Sequence, residues 1–383
     1  MSVEDKANKT GPRKLLALDG GGIRGVMTLE VLAEIERKLQ EKLGRGDDFL
    51  LADYFDYVAG TSTGAIIATC LALGMRVAEI QKFYIDSGPA MFDKNSLLKL
   101  YKSKFVDEKL KAQLQKIIAD KTGEEKATLG SKAIRTYLML VLRNATTDSP
   151  WPVSNNPAAK YNDAGRPDSN LKLPLWQLVR ASTAAPVYFP PEVITFGQPP
   201  GKTYDFIFVD GGVTMYNNPA FQLFLMATVG QYKLGWPAGE DKILLVSVGT
   251  GIAADANENL APNDMNVIYN ASRLPSALMF AASNEQDLLC RVFGKCHCGG
   301  QIDREVLDLI GPVGSGPANP KLFTYVRYNA DLSRKGLDDM GLPNIQPKDV
   351  QKLDSVEHIT DLQTVGRKLA ERVNIDHYAG FLN

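Results

Sequence analysis

This chain is short of several things at once, and each shortage excludes a class of protein. Four cysteines in 383 residues do not make a disulfide scaffold. Cys70 falls in an apolar helical stretch and reads as a small core residue. Cys290, Cys296, His297 and Cys298 stand close together, but their spacing is not the paired C-x(2–4)-C of a structural zinc site and no second pair exists. No metal or organic cofactor is expected. The formal net charge is −1, so there is no global basic field and nucleic acid is not an expected partner. No apolar run approaches the roughly 18 residues of a membrane span; the longest, Ala65 to Met75, suits a buried helix. The stretch from Met1 to Lys14 is charged and lacks the apolar centre of a secretory signal, so the expected location is cytoplasmic. Repeats, low-complexity segments and the GxxxxGK[ST] phosphate loop are all missing.

What remains is globular: 44% hydrophobic and 23% charged residues, with enough length for a large core. Residues 1–12 read as a polar tail. Short apolar runs then alternate with helical patterns. Lys14–Asp19, Phe55–Gly60, Thr136–Asn144, Phe206–Asp210 and Lys242–Gly249 read as strands. Val26–Leu43, Ala65–Gly74, Val106–Ala119, Leu175–Ala184 and Pro219–Val229 read as helices, with Gly74 at a C-terminal cap. This alternation predicts an α/β fold, a mainly parallel sheet covered by helices on both faces. Residues 252–267 are polar and turn-rich and mark the expected seam. Residues 13–252 form the body, and 253–383 read as a mostly helical extension packed on it, with one strand at Phe323–Tyr328.

Three stretches carry chemistry. The first is DGGGIRG, Asp19–Gly25, between a strand and a helix. It contains GxGxxG (Gly20, Gly22, Gly25), which alone is weak evidence. The same backbone N–H groups at a helix start fit a pyrophosphate, a transient oxyanion, or a plain tight turn. The second is GTSTG, Gly60–Gly64, a GxSxG between strand and helix that would expose the Ser62 hydroxyl on a sharp turn. Gly60 and Gly64 would keep side chains out of that turn. The third is VDGG, Val209–Gly212, a carboxylate at the end of an apolar strand. Since sites in open α/β sheets assemble at the carboxyl ends of strands, all three motifs are expected to open on one sheet edge.

A serine hydrolase with a histidine base needs His297, the one histidine that follows Asp210 closely in the order Ser, acid, His. It sits in KCHCGG, with no strand directly before it. The alternative is a dyad in which Asp210 is the base for Ser62. A third reading is a nucleotide-binding module using Gly20–Gly25.

In this order, DGGGIRG, GTSTG and VDGG resemble the patatin-like phospholipase family. NNPA (Asn217–Ala220), SVGTG (Ser247–Gly251) and ASTAAPVYFPP (Ala181–Pro191) are similar to that family as well, and the resemblance covers roughly residues 13–252. It implies a three-layer patatin-like fold and a phospholipase A-type hydrolase of membrane glycerophospholipids that works through an acyl-enzyme. Ser62 would be the nucleophile and Asp210 the base. Gly20, Gly21, Gly22 and Arg24 would lie in the oxyanion segment, with Arg24 either adding charge or bracing the loop. Asp19, just before that loop, would hold it in shape. The resemblance also implies transient contact with a membrane surface, to which the basic amphipathic stretch Met91–Phe105 would contribute. Some relatives of bacterial type are held silent until an activator binds, cyclic nucleotides in antiphage defence among them; the extension after residue 252 would be the place for a small-molecule activator.

Overall fold

A computed structural model describes residues 2–92, 103–186, 188–197, 200–252, 267–310 and 317–382. One mixed sheet organises them. Its strands are β1 (Arg13–Leu18), β2 (Tyr57–Thr61), β3 (Tyr137–Asn144), β4 (Ser149–Ser154), β5 (Glu192–Phe196), β6 (Tyr204–Asp210), β7 (Ile243–Val248), β8 (Lys295–Cys298) and β9 (Thr324–Tyr328). The order is β5-β6-β3-β2-β1-β7-β9-β8, with β4 also on β3. From β3 to β8 every neighbouring pair is parallel. β4, β5 and β6 are antiparallel to their partners.

The helices are α1 (Val3–Asn8), α2 (Gly25–Lys42), α3 (Leu51–Tyr54), α4 (Thr63–Ala72), α5 (Val77–Phe92), α6 (Ser103–Thr122), α7 (Leu175–Ser182), α8 (Ala220–Thr228), α9 (Val267–Phe293), α10 (Arg334–Asp339), α11 (Pro347–Val350) and α12 (Ile359–Ala370). Strand side chains alternate between two cores, as pleating requires. Leu16, Leu18, Leu140 and Val246 enter one core with residues of α2, α4, α7 and α12. Leu15, Ala17, Met139 and Leu245 enter the other with α8 and Cys290 of α9. The result is three layers. Burial on both faces explains why β1, β2 and β7 are continuous apolar runs rather than alternating ones.

Two expectations need correction. Residues 3–8 of the expected polar tail form a helix. The Lys6 ammonium is buried and donates to the Phe55 carbonyl at 2.6 Å, and Lys9 meets the buried Asp56 carboxylate at 2.8 Å. Polarity hid this because the partners are a carbonyl and a carboxylate at the start of β2. Nor does the sheet stop at the seam after residue 252. β9 lies along β7 from Leu244 to Val248 and β8 lies on β9, so the last third of the chain completes the sheet. It carries two strands, one of them unforeseen. Residues 253–266 of that seam, and residues 93–102 of the basic amphipathic stretch, lie outside the described residues.

Candidate active site

The site forms where two strands meet end to end. β2 rises along one edge of β3 and stops at Thr61, opposite Val141. β4 occupies the other edge of β3 over the same residues. β6 therefore shares the edge used by β2. It descends from the opposite direction and stops at Asp210, opposite Leu142. The two strand ends are adjacent register positions. The sequence predicts that all three motifs open on one edge, and they do, but Asp210 arrives on an antiparallel strand.

Ser62 follows β2 with φ 55° and ψ −122°, a conformation unfavourable for a residue with a side chain. The turn closes tightly. A Cβ at Gly60 would run into the Gly64 carbonyl, and one at Gly64 into the Leu18 carbonyl. The Ser62 N–H donates to Ser182 Oγ at 3.0 Å, and the Ser182 hydroxyl donates to the Val141 carbonyl at 2.7 Å. Ser182 thus ties the turn to β3. The sequence offered only the segment around it, not its role.

The Ser62 hydroxyl donates to Asp210 Oδ2 at 2.6 Å. The other carboxylate oxygen, Oδ1, accepts the Gly212 N–H at 2.6 Å, which fixes the carboxylate plane. Burial pushes the Asp210 carboxyl up to about 6; the bonds from Ser62 and Gly212 and the charge of Arg180 pull the other way. Arg180, on α7, is buried and lies against the Phe189 ring, and the sequence reading did not single it out.

The glycine loop packs beside this pair. The Gly20 N–H is already used, donating to the Asn217 carbonyl at 3.0 Å. The N–H groups of Gly21 and Gly22 bond to no described residue, and both glycines line the cavity of about 60 Å³ that also holds Ser62 and Asp210. Gly22 has φ +60°, and a Cβ there would strike the Leu353 carbonyl. That carbonyl accepts the Ile23 N–H at 3.0 Å, so part of the helix start that a pyrophosphate would need is occupied. Arg24 is buried and donates to the carbonyls of Gly21, at 3.4 Å, and Gln351, at 3.2 Å, which braces the loop. Asp19 is held by both terminal nitrogens of Arg327, at 2.8 and 2.6 Å, and Arg327 also donates to Ser247 at 2.7 Å.

His297 lies on β8, at the far end of the sheet and four strand spacings from β2, about 19 Å. Its neighbour is His377 rather than Ser62. Among the described residues no group of three or more His, Cys, Asp or Glu side chains is arranged to hold a metal.

The pattern of the patatin-like phospholipase family matches residues 16–224, more than half of the chain and all three motifs. The chain belongs to that family. To "Patatin-like protein 1" of Oryza sativa subsp. indica it is 30% identical over 275 residues, 66% of this chain and 62% of that one. To "Intracellular phospholipase A2" of Caenorhabditis elegans it is 32% identical over 254 residues, 64% of this chain and 20% of that one. The chain therefore spans less than two thirds of either relative. Among solved structures, VipD from Legionella pneumophila is similar at a TM-score of 0.38 and 14% identity, over 93% of this chain and 67% of that chain, too loosely to carry an argument. Among the described residues, no helix of this patatin-family chain is long and apolar enough to cross a membrane.

Proposed function

We propose that the protein is a phospholipase A-type acyl hydrolase that releases fatty acids from membrane glycerophospholipids through a Ser62 acyl-enzyme. The observation that carries this reading is the 2.6 Å hydrogen bond from the Ser62 hydroxyl to Asp210, beside two uncommitted backbone N–H groups. Ser62 Oγ attacks the ester carbonyl as Asp210 accepts its proton. A carboxyl near 6 is about a hundredfold stronger as a base than one near 4, and it is still ionised at neutral pH. The tetrahedral oxyanion is met by the Gly21 and Gly22 N–H groups, each such donor being worth about 3–4 kcal/mol. Asp210 then protonates the leaving alcohol. Water repeats the cycle on the acyl-enzyme.

The cavity's wall of Phe92, Ala185, Pro186, Phe189 and Val213 supports an apolar acyl chain as the group presented to Ser62. Transient contact with a lipid surface follows from such a substrate. Control by a small-molecule activator, a cyclic nucleotide among the candidates, finds its support in the grip of Gln351 and Leu353 on the glycine loop.

The test is fatty acid release from mixed phospholipid vesicles by wild type and Ser62→Ala, with and without added cyclic dinucleotides. Release by wild type alone is expected. Equal release by both overturns the Ser62 assignment. No release under any condition, together with no labelling of Ser62 by an acyl-phosphonate, overturns the hydrolase reading.

A further inference from the structure

Next to the catalytic cavity lies a chamber of about 470 Å³, within the usual range for a small-molecule site. Tyr188, Met279, Leu353 and Asp354 line both, so the two adjoin. Their walls differ in chemistry. Asn217, Thr250, Ser276, Ser283 and Asn329 face the larger chamber, whereas the smaller one is walled mostly by apolar groups.

Five charged residues line the chamber: Asp19, Arg24, Lys348, Lys352 and Asp354. Asp19 is neutralised by the buried Arg327. That leaves three cations against Asp354. Arg24 is the unusual one. Its guanidinium is buried, its two hydrogen bonds go to backbone carbonyls, and it makes no ion pair with a described carboxylate. Its counter-charge is Asp19, which the Arg327 guanidinium already holds, so an anion inside the cavity would add to its neutralisation. Lys348, on α11, and Lys352, just past the end of that helix, are exposed and bond to no described residue. Both lie well beyond the residues 16–224 that match the family. A guanidinium and two ammonium groups around one cavity suit an anion with several oxygens, since each oxygen can face a different cation. A glycerophospholipid carries such a group a few bonds from the ester that Ser62 would attack.

We propose that this chamber is a phosphate subsite formed by Arg24, Lys348 and Lys352, taking the phosphate of a lipid headgroup or of a free phosphorylated compound. For the lipid source the inference rests on the hydrolase reading; for the free compound it does not.

Two measurements test it, both with the full chain. The first compares kcat/KM on phosphatidylglycerol with that on diacylglycerol of the same acyl chains, for wild type and Lys348→Ala/Lys352→Ala. Wild type prefers the phospholipid, and the ratio falls roughly tenfold or more in the double variant. Lys348→Arg/Lys352→Arg restores it. The second follows glycerol 3-phosphate binding to Ser62→Ala protein by phosphorus NMR, which needs no turnover. Binding that the double alanine variant loses supports the subsite. Headgroup preference without glycerol 3-phosphate binding assigns the subsite to lipid. Binding without preference assigns it to a free compound. Neither preference nor binding, or equal loss on both lipids with binding unchanged, overturns the proposal. Activity on neither lipid with binding intact overturns the hydrolase reading and leaves the subsite standing.

Discussion

The Ser62 hydroxyl and the Asp210 carboxylate, 148 residues apart in the chain, meet at 2.6 Å because β2 and β6 run in opposite directions along the same edge of β3 and stop one register position apart. Neither side chain reaches for the other. Ser62 follows β2, which is buried throughout, and Asp210 is the buried last residue of β6, a strand with one face exposed, so the register of both strands on β3 sets the pair. The pair is therefore preorganised, which is the condition under which a carboxylate can serve as base for a hydroxyl without a histidine between them.

Replacing Ser62 with alanine removes the proposed nucleophile. Fatty acid release is expected to fall by roughly a thousandfold or more, with the folded state retained by circular dichroism and no labelling by an acyl-phosphonate.

The pH dependence follows from Asp210. Its carboxyl is ionised only above about 6, so the acidic limb of kcat/KM is expected near pH 6; a limb near 4 would contradict an Asp210 base of this kind. The same group sets a stability trend. Because its folded value lies above the ordinary 3.8, the folded state binds the proton more tightly, and stability falls as pH rises from about 4 to about 6. The difference corresponds to about 3 kcal/mol. Asp210→Asn is expected to be inactive, more stable than wild type at pH 8, and equal to it below pH 4. Urea unfolding at both pH values checks this.

Ser182→Ala removes the acceptor for the Ser62 N–H and leaves a buried donor without a partner. A loss of about 1–3 kcal/mol in stability is expected. Turnover should fall with little change in KM, because the nucleophile turn loosens and the acyl cavity does not.

Arg327→Met strands the buried Asp19 carboxylate next to the glycine loop. The expected loss is about 3–5 kcal/mol, and adding Asp19→Asn should recover a good part of it. Full recovery of stability without recovery of turnover would mark Arg327 as positioning the loop rather than only closing a charge pair.

His297→Ala is expected to keep wild-type turnover, since β8 is four strands away from Ser62. A hundredfold loss at constant stability would revive the histidine-based reading.

Much of this was legible in the residues. The apolar runs Lys14–Asp19 and Lys242–Gly249 read as buried strands, and Val26 to Leu43 as a helix with one buried face, and so they are. The glycines around Ser62 announced a turn too tight for side chains, and the structure shows the carbonyls that exclude them. Asp19 was legible as a structural carboxylate, but its partner Arg327 stands 308 residues away and carries no local signal. Arg24 braces the loop through carbonyls, which have no sequence signature at all. Gly20 looked equivalent to Gly21 and Gly22; only the packing of Asn217 against it shows that its N–H is taken.

By itself, then, the sequence determined the strands β1, β2, β3, β6, β7 and β9, the helices beside them, which turns are tight, and which hydroxyl and carboxylate stand at strand ends, because these follow from local periodicity and sterics. The tertiary structure decided the rest. It turned β6 antiparallel, brought β8 and β9 from the last third of the chain into the same sheet, and set Arg327 and Leu353 against the glycine loop. Strand direction, sheet order and long-range ion pairs depend on which surfaces bury each other across the whole chain, and no window of residues contains that information.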